Sequence, residues 1–119
     1  MNLEIKGIYP DGVDLERVDL REFVVPLRVE IGEKGKEGAE VFHFVAASAQ
    51  GLSLEMAGRE FNLLRGYILL DVFDMDIVRR ALQNLIERAR SRENWSRVVS
   101  FLNRYGRYDS EDLDGIHSP

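Results

Sequence analysis

Apolar and polar residues alternate most regularly between residues 23 and 47. In Phe-Val-Val-Pro-Leu-Arg-Val-Glu-Ile, residues 23–31, Val25, Leu27, Val29 and Ile31 share one face of an extended chain. Val24, Pro26, Arg28 and Glu30 share the other. In Glu-Val-Phe-His-Phe-Val-Ala-Ala, residues 40–47, Phe42, Phe44 and Ala46 oppose Val41, His43 and Val45. Such β-branched and aromatic runs suit a pleated, half-buried surface. Between them Gly32-Glu-Lys-Gly-Lys-Glu-Gly38 holds three glycines and four charges, which have nothing to bury and reach positive φ cheaply. Two strands joined by such a loop pair antiparallel. The Leu27/Val29 and Phe42/Phe44 faces are expected to meet helices. Val24, Val41 and Val45 make the opposite faces unusually apolar, as cover by an N-terminal loop or a partner surface would require. Pro26 lacks a backbone donor and points to an edge, a bulge or a strand start.

The flanking segments extend this pattern. Leu3-Glu-Ile-Lys-Gly-Ile8 alternates as a strand with one wet face, and Tyr9-Pro10-Asp11-Gly12 ends it with a turn signal. Residues 13–22 read as a surface loop or short helical turn, with acids between Val13, Leu15, Val18 and Leu20. Residues 48–58 read as a loop or short helix. Residues 61–73 read as a further strand region, in which the apolar run 67–73 resembles a central strand covered on both sides. Ile77, Val78, Ala81, Leu82, Leu85, Ile86 and Ala89 form a helical stripe, with Asp74 or Asp76 as cap. Trp95, Val98, Val99, Leu102 and Tyr105 form a second, capped by Ser91 or Asn94 and stopped at Gly106. Strands first and helices last predict an α+β fold: an antiparallel sheet of about four strands followed by two C-terminal helices packed on one face. Residues 1–106 are expected to form one domain and residues 107–119 a flexible acidic tail.

Charge adds a direction to this picture. The net charge is −5, but residues 1–22 hold six acids against Lys6, Arg17 and Arg21, and residues 107–119 hold Asp109, Glu111, Asp112 and Asp114 against Arg107. Residues 74–106 reverse the sign, with seven arginines against four acids. Acidic ends repel nucleic acid and membrane and favour a basic partner; solubility alone is the plainer account. No window approaches a membrane span, and the opening residues lack the basic region and apolar core of a secretory signal, a pattern compatible with the cytosol. The absence of cysteine removes disulfides, Cys-ligated zinc and a Cys nucleophile.

Candidate chemistry is sparse. His43 and His117 are not at metal-ligand spacing, and no Gly-x-Ser-x-Gly elbow is present. The glycine loop leads into a strand rather than a helix and carries Glu33 and Glu37, so it fits a turn better than a phosphate cradle. His43 has the chemistry of a general base, though a cross-strand or edge histidine is much the commoner case. Asp74 and Asp76 are explained as cap and first-turn acid. Asp71, if buried in a strand, needs a partner such as Arg28 or Arg65, or serves as an acid–base or metal group. The helix arginines lie between acidic ends and spread over outer faces, a poor footprint for nucleic acid. No cofactor or metal is expected.

The run Val29-Glu-Ile-Gly-Glu-Lys-Gly-Lys-Glu-Gly-Ala-Glu-Val-Phe-His-Phe-Val45 resembles the signature of immunity protein 8, a bacterial polymorphic-toxin immunity family, at Ile31, Gly32, Gly35, Gly38, Glu40 and Phe42. The family's Trp-Leu after the second strand is absent; Leu52 and Leu54 stand near its place. Gly66-Tyr-Ile-Leu-Leu-Asp-Val-Phe-Asp74 resembles its late strand, residues 77–85 its helix, and Asn94-Trp95-Ser96 the start of its last helix. The likeness spans about residues 3–105. It implies a cytosolic antidote to a contact-dependent or secreted toxin, commonly a nuclease carried as the C-terminal domain of a large exported protein. The matched residues look structural, so no binding residue carries over. A nuclease has a basic cleft, which makes Asp11, Asp14, Glu16, Asp19 and Asp71 the expected contacts to the toxin domain. The alternatives are a non-catalytic cytosolic adaptor and a small enzyme using Asp71 or His43.

Overall fold

The computed structural model describes residues 1–109. Strands β1 (Leu3–Pro10), β2 (Val24–Glu33) and β3 (Glu40–Ala47) are followed by helix α1 (Ala49–Glu55), strand β4 (Tyr67–Leu69), helices α2 (Met75–Ala89) and α3 (Trp95–Leu102), and strand β5 (Arg107–Tyr108). The architecture is α+β, as the order of apolar patterns predicts. The predicted hairpin forms with Leu27 opposite Phe44 and Val29 opposite Phe42. Its loop turns on Gly35 and Gly38, at φ 79° and 91°, a region that side chains disfavour.

One face of the hairpin is the core. Val25, Leu27, Val29, Ile31, Phe42 and Ala46 are at most 1% exposed and pack with Leu82, Ile86, Val98 and Leu102 of the two C-terminal helices. Each such Leu or Ile side chain removed from water stabilises the fold by about 2 kcal/mol. Asp74 caps α2 by accepting from the amide of Asp76, and Asn94 caps α3 by accepting from that of Arg97. Arg90, at the end of α2, donates to the carbonyl of Leu3 at 3.1 Å, and its own carbonyl accepts from the terminal amine of Met1 at 2.8 Å. The first strand is thereby tied to the last turn of the long helix.

The sheet departs from expectation at three places. The pairing of β1 with β2 shifts register between Ile5 and Gly7, so that Ile8 rather than Gly7 sits opposite the buried Val29. Apolar residues at 3, 5 and 8 need this bulge to reach one face. Second, the run 67–73 is not a covered central strand. Only Tyr67–Leu69 joins the sheet, parallel to β3 and at its edge, and residues 61–65 lie outside it. The reason is competition: β4 pairs Val45–Ala47, while β5 returns after α3 to pair Phe42 and His43 on the same edge. The parallel sense follows from the crossover through α1 and the loop after it. Third, Arg107 and Tyr108, assigned to the tail, are strand residues; Tyr108 stacks on Phe42 with ring centroids 5.2 Å apart and donates to Glu40 at 2.7 Å. Asp109 is described as well, and residues 110–119 of the expected tail, with His117, lie outside the described residues.

Candidate functional site

The loop from β1 to β2 is built by its acids. Asp14 accepts from the amide of Glu16 at 3.0 Å and opens a 3-10 turn, Leu15–Arg17. Asp19 accepts from the amides of Arg21 and Glu22 at 2.9 and 3.1 Å. Both are short-range carboxylate turns of the kind that competes with regular structure. Val13, Leu15 and Val18 turn inward onto the core, which leaves Asp11, Asp14, Glu16 and Asp19 exposed.

Asp71 joins them from the other half of the chain. The amide of Phe73 donates to the carbonyl of Leu20 at 2.7 Å, and the Phe73 ring meets Phe23 edge-on at 5.3 Å. This fixes the exit of β4 against the acidic loop. Asp71 is not buried, contrary to expectation: its side chain is 96% exposed, and the nearby cation is Arg21 at 3.9 Å. Arg28, one of the expected partners, faces Glu30 at 3.7 Å instead. Because β4 ends at Leu69 and lies at the sheet edge, Asp71 falls past the strand in solvent. The Arg21 pairing, fifty positions away in sequence, had no local signal.

These acids mark one end of the molecule. Asp74 and Asp76 begin α2 there, and Arg88 and Arg90 end it, about 22 Å away at 1.5 Å per residue. A cleft of about 400 Å³, lined by Arg21, Ser48, Gln50, Leu69, Leu70 and Asp71, opens at the acidic end. Ser48 is its fixed floor, 2% exposed, with its hydroxyl oxygen accepting from the amides of Gly51 and Phe23 at 3.0 and 3.1 Å.

The model of the family Immunity protein 8 matches residues 3–113. The chain belongs to the immunity protein 8 family. No curated protein and no solved structure matches it. Membership makes this an immunity protein of a polymorphic toxin system, whose partner is a toxin protein.

For an immunity protein the relevant feature is a surface, and the other candidates have structural explanations. His43 is a cross-strand residue whose Nε2 lies 2.7 Å from Asp109 Oδ1. Asp74 and Asp76 serve the start of α2. Among the described residues no three His, Asp or Glu side chains gather as a metal site. Two arginines at and just past the end of α2 are engaged in packing. Arg92 stacks 4.1 Å over Phe101, a core residue the helical stripe had not included, and Arg88 donates to the Tyr105 hydroxyl at 2.7 Å. Elsewhere, the Lys36 ammonium, 2.9 Å away, holds the Glu33 carboxyl below the usual carboxylate range, and Lys6 does the same for Glu4 at 3.0 Å. Burial, then Glu55, pushes the Tyr67 phenol up. None of the shifted groups is at the acidic end.

Proposed function

We propose that this immunity protein neutralises a nuclease toxin domain in the cytoplasm by seating its acidic end in the toxin's basic cleft, performing no reaction of its own. The observation that carries this reading is the meeting of Asp71 with the loop bearing Asp11, Asp14, Glu16 and Asp19, since acids from both halves of the chain face solvent at one end. A surface of this sign accelerates encounter with a cationic cleft by 10-fold or more, roughly, and the gain falls as salt rises.

The test uses the C-terminal domain of the toxin encoded beside this gene, in catalytically inactive form. Asp14→Asn and Asp19→Asn remove charge but keep an oxygen for the turn amides. Asp11→Lys, Glu16→Lys and Asp71→Lys reverse charge at positions with no such backbone role. The fivefold variant should associate about 10- to 100-fold more slowly at low salt, with a flattened salt dependence. An unchanged association rate places the interface elsewhere.

A further inference from the structure

The acidic end explains attraction better than grip, because exposed charge pairs contribute little once formed. A more adhesive surface adjoins it. Of the nine large apolar side chains exposed among the described residues, five fall between residues 54 and 69: Leu54, Phe61, Leu63, Leu64 and Leu69. Phe61 is 73% exposed and Leu63 88%. Single bare leucines are ordinary, but five exposed apolar side chains within sixteen residues of chain point to an interaction surface.

Two cavities flank the strand that closes this stretch, and Leu69 carries it to the acids by lining one of them. A groove of about 230 Å³ lies between β4 and α2, lined by the apolar Phe44, Ile68, Leu82 and Leu85 together with Asn84 and the cation Arg88. It is smaller than the roughly 300–1,000 Å³ of a small-molecule site, and its floor is apolar with Asn84 and Arg88 to one side, so a protruding apolar side chain fits it better than a metabolite. Ile68 lines this groove; the next residues, Leu69 to Asp71, line the cleft shared with Arg21. One short strand thus leads from an apolar groove to the acidic end. An apolar centre beside a charged rim is the usual anatomy of a protein interface.

We infer that the β4 edge, from Phe61 to Leu69 with the groove beside it, is the apolar centre of the toxin interface. Its occupant is a toxin face that presents a protruding apolar side chain ringed by lysines and arginines. Asp71, which lines one cleft with Leu69, selects that complement on the cleft side. This rests on the proposed neutralising role and divides it: the acids set how fast the toxin arrives, and the β4 edge sets how long it stays.

The experiment compares Phe61→Ser/Leu63→Ser and Leu69→Ser with Asp71→Lys, by surface-plasmon kinetics against the inactive toxin domain, together with sedimentation of each variant alone. All the substituted side chains are exposed, so urea midpoints should stay in place and separate a binding defect from an unfolded protein. The apolar variants should dissociate at least about 30-fold faster with association within about threefold, and Asp71→Lys should instead slow association at low salt with dissociation within about threefold. Unchanged dissociation in the apolar variants, with wild-type binding intact, overturns the assignment of the β4 edge and leaves the neutralising role standing. A wild-type dimer that these substitutions dissolve without altering toxin release assigns the edge to a second copy instead, and also overturns it. Failure of the wild-type protein to bind the toxin domain overturns both readings.

Discussion

Replacing Ser48 with alanine deletes one oxygen and should cost more than its size suggests. Ser48 is the buried polar side chain of the core, and its hydroxyl oxygen serves two amides at once: Gly51 at 3.0 Å, as the cap of α1, and Phe23 at 3.1 Å, across the start of β2. Loss of a capping oxygen costs about 1 kcal/mol. Loss of the second contact leaves the amide of a residue only 4% exposed without its acceptor, a penalty of about 1–3 kcal/mol. The combined loss is about 2–4 kcal/mol, against a total stability on the order of 5–15 kcal/mol for a domain. Urea unfolding checks it: the midpoint should fall by roughly 1–2 M with an unchanged slope. Ser53→Ala is the internal comparison, since Ser53 lies on the same helix but in solvent, and should stay within about 0.5 kcal/mol of wild type. A Ser48→Ala loss below about 1 kcal/mol would refute the reasoning, because water or a relaxed loop would then be satisfying both amides.

Two further outcomes are expected. Gly51→Ala pits helix propensity against space: alanine gains about 1 kcal/mol in a helix, but its Cβ would stand 2.1 Å from the carbonyl oxygen of Phe23. Overpacking of about 1–3 kcal/mol or more should win, and a thermal melt that rises instead would show that the helix can shift away. The Glu4 and Glu33 carboxyls have folded pKa values below their unfolded ones, so their stabilisation is present above the unfolded carboxylate range and lost as pH falls through the folded values. Glu4→Gln/Glu33→Gln should flatten the acid limb of a stability–pH curve measured by urea unfolding and leave the neutral-to-alkaline limb nearly unchanged; an acid limb as steep as wild type refutes the linkage.

The hairpin was legible because burial is one-sided. A strict two-residue period from Val25 to Ile31 leaves a single register in which four apolar side chains enter the core together. The helices were legible for the same reason at their own period, with Asp74 and Asn94 marking where each begins. The edge of the sheet was not. A run as apolar as residues 67–73 reads as a covered strand, but its sheet length is limited by a partner, β5, drawn from a charged segment with no strand signal. The bulge at Lys6 did leave a trace, since apolar residues at 3, 5 and 8 break the period by one. The candidate acids on the first loop were visible as composition; that Asp71 would join them depended on Phe73 docking at Leu20, a contact between distant segments that no local pattern encodes.

The charge at the acidic end exceeds what the fold itself uses, and this excess is the strongest physical support for a basic partner. The positive end of the α2 dipole accounts for Asp74 and Asp76, at about 0.3–1 kcal/mol each. Turn formation accounts for one oxygen each of Asp14 and Asp19. Asp11, Glu16 and Glu22 have no such role among the described residues, and Asp71 has only an exposed, 3.9 Å contact to Arg21. Arg17 and Arg21 face this group from exposed positions at 3.7 and 3.9 Å, where an ion pair contributes about 0–1 kcal/mol. Like charges gathered this way repel one another and weaken the folded state slightly. A cationic surface closing over it would relieve that repulsion, so under the proposed function the same arrangement that is mildly unfavourable in the free protein would become favourable in the complex.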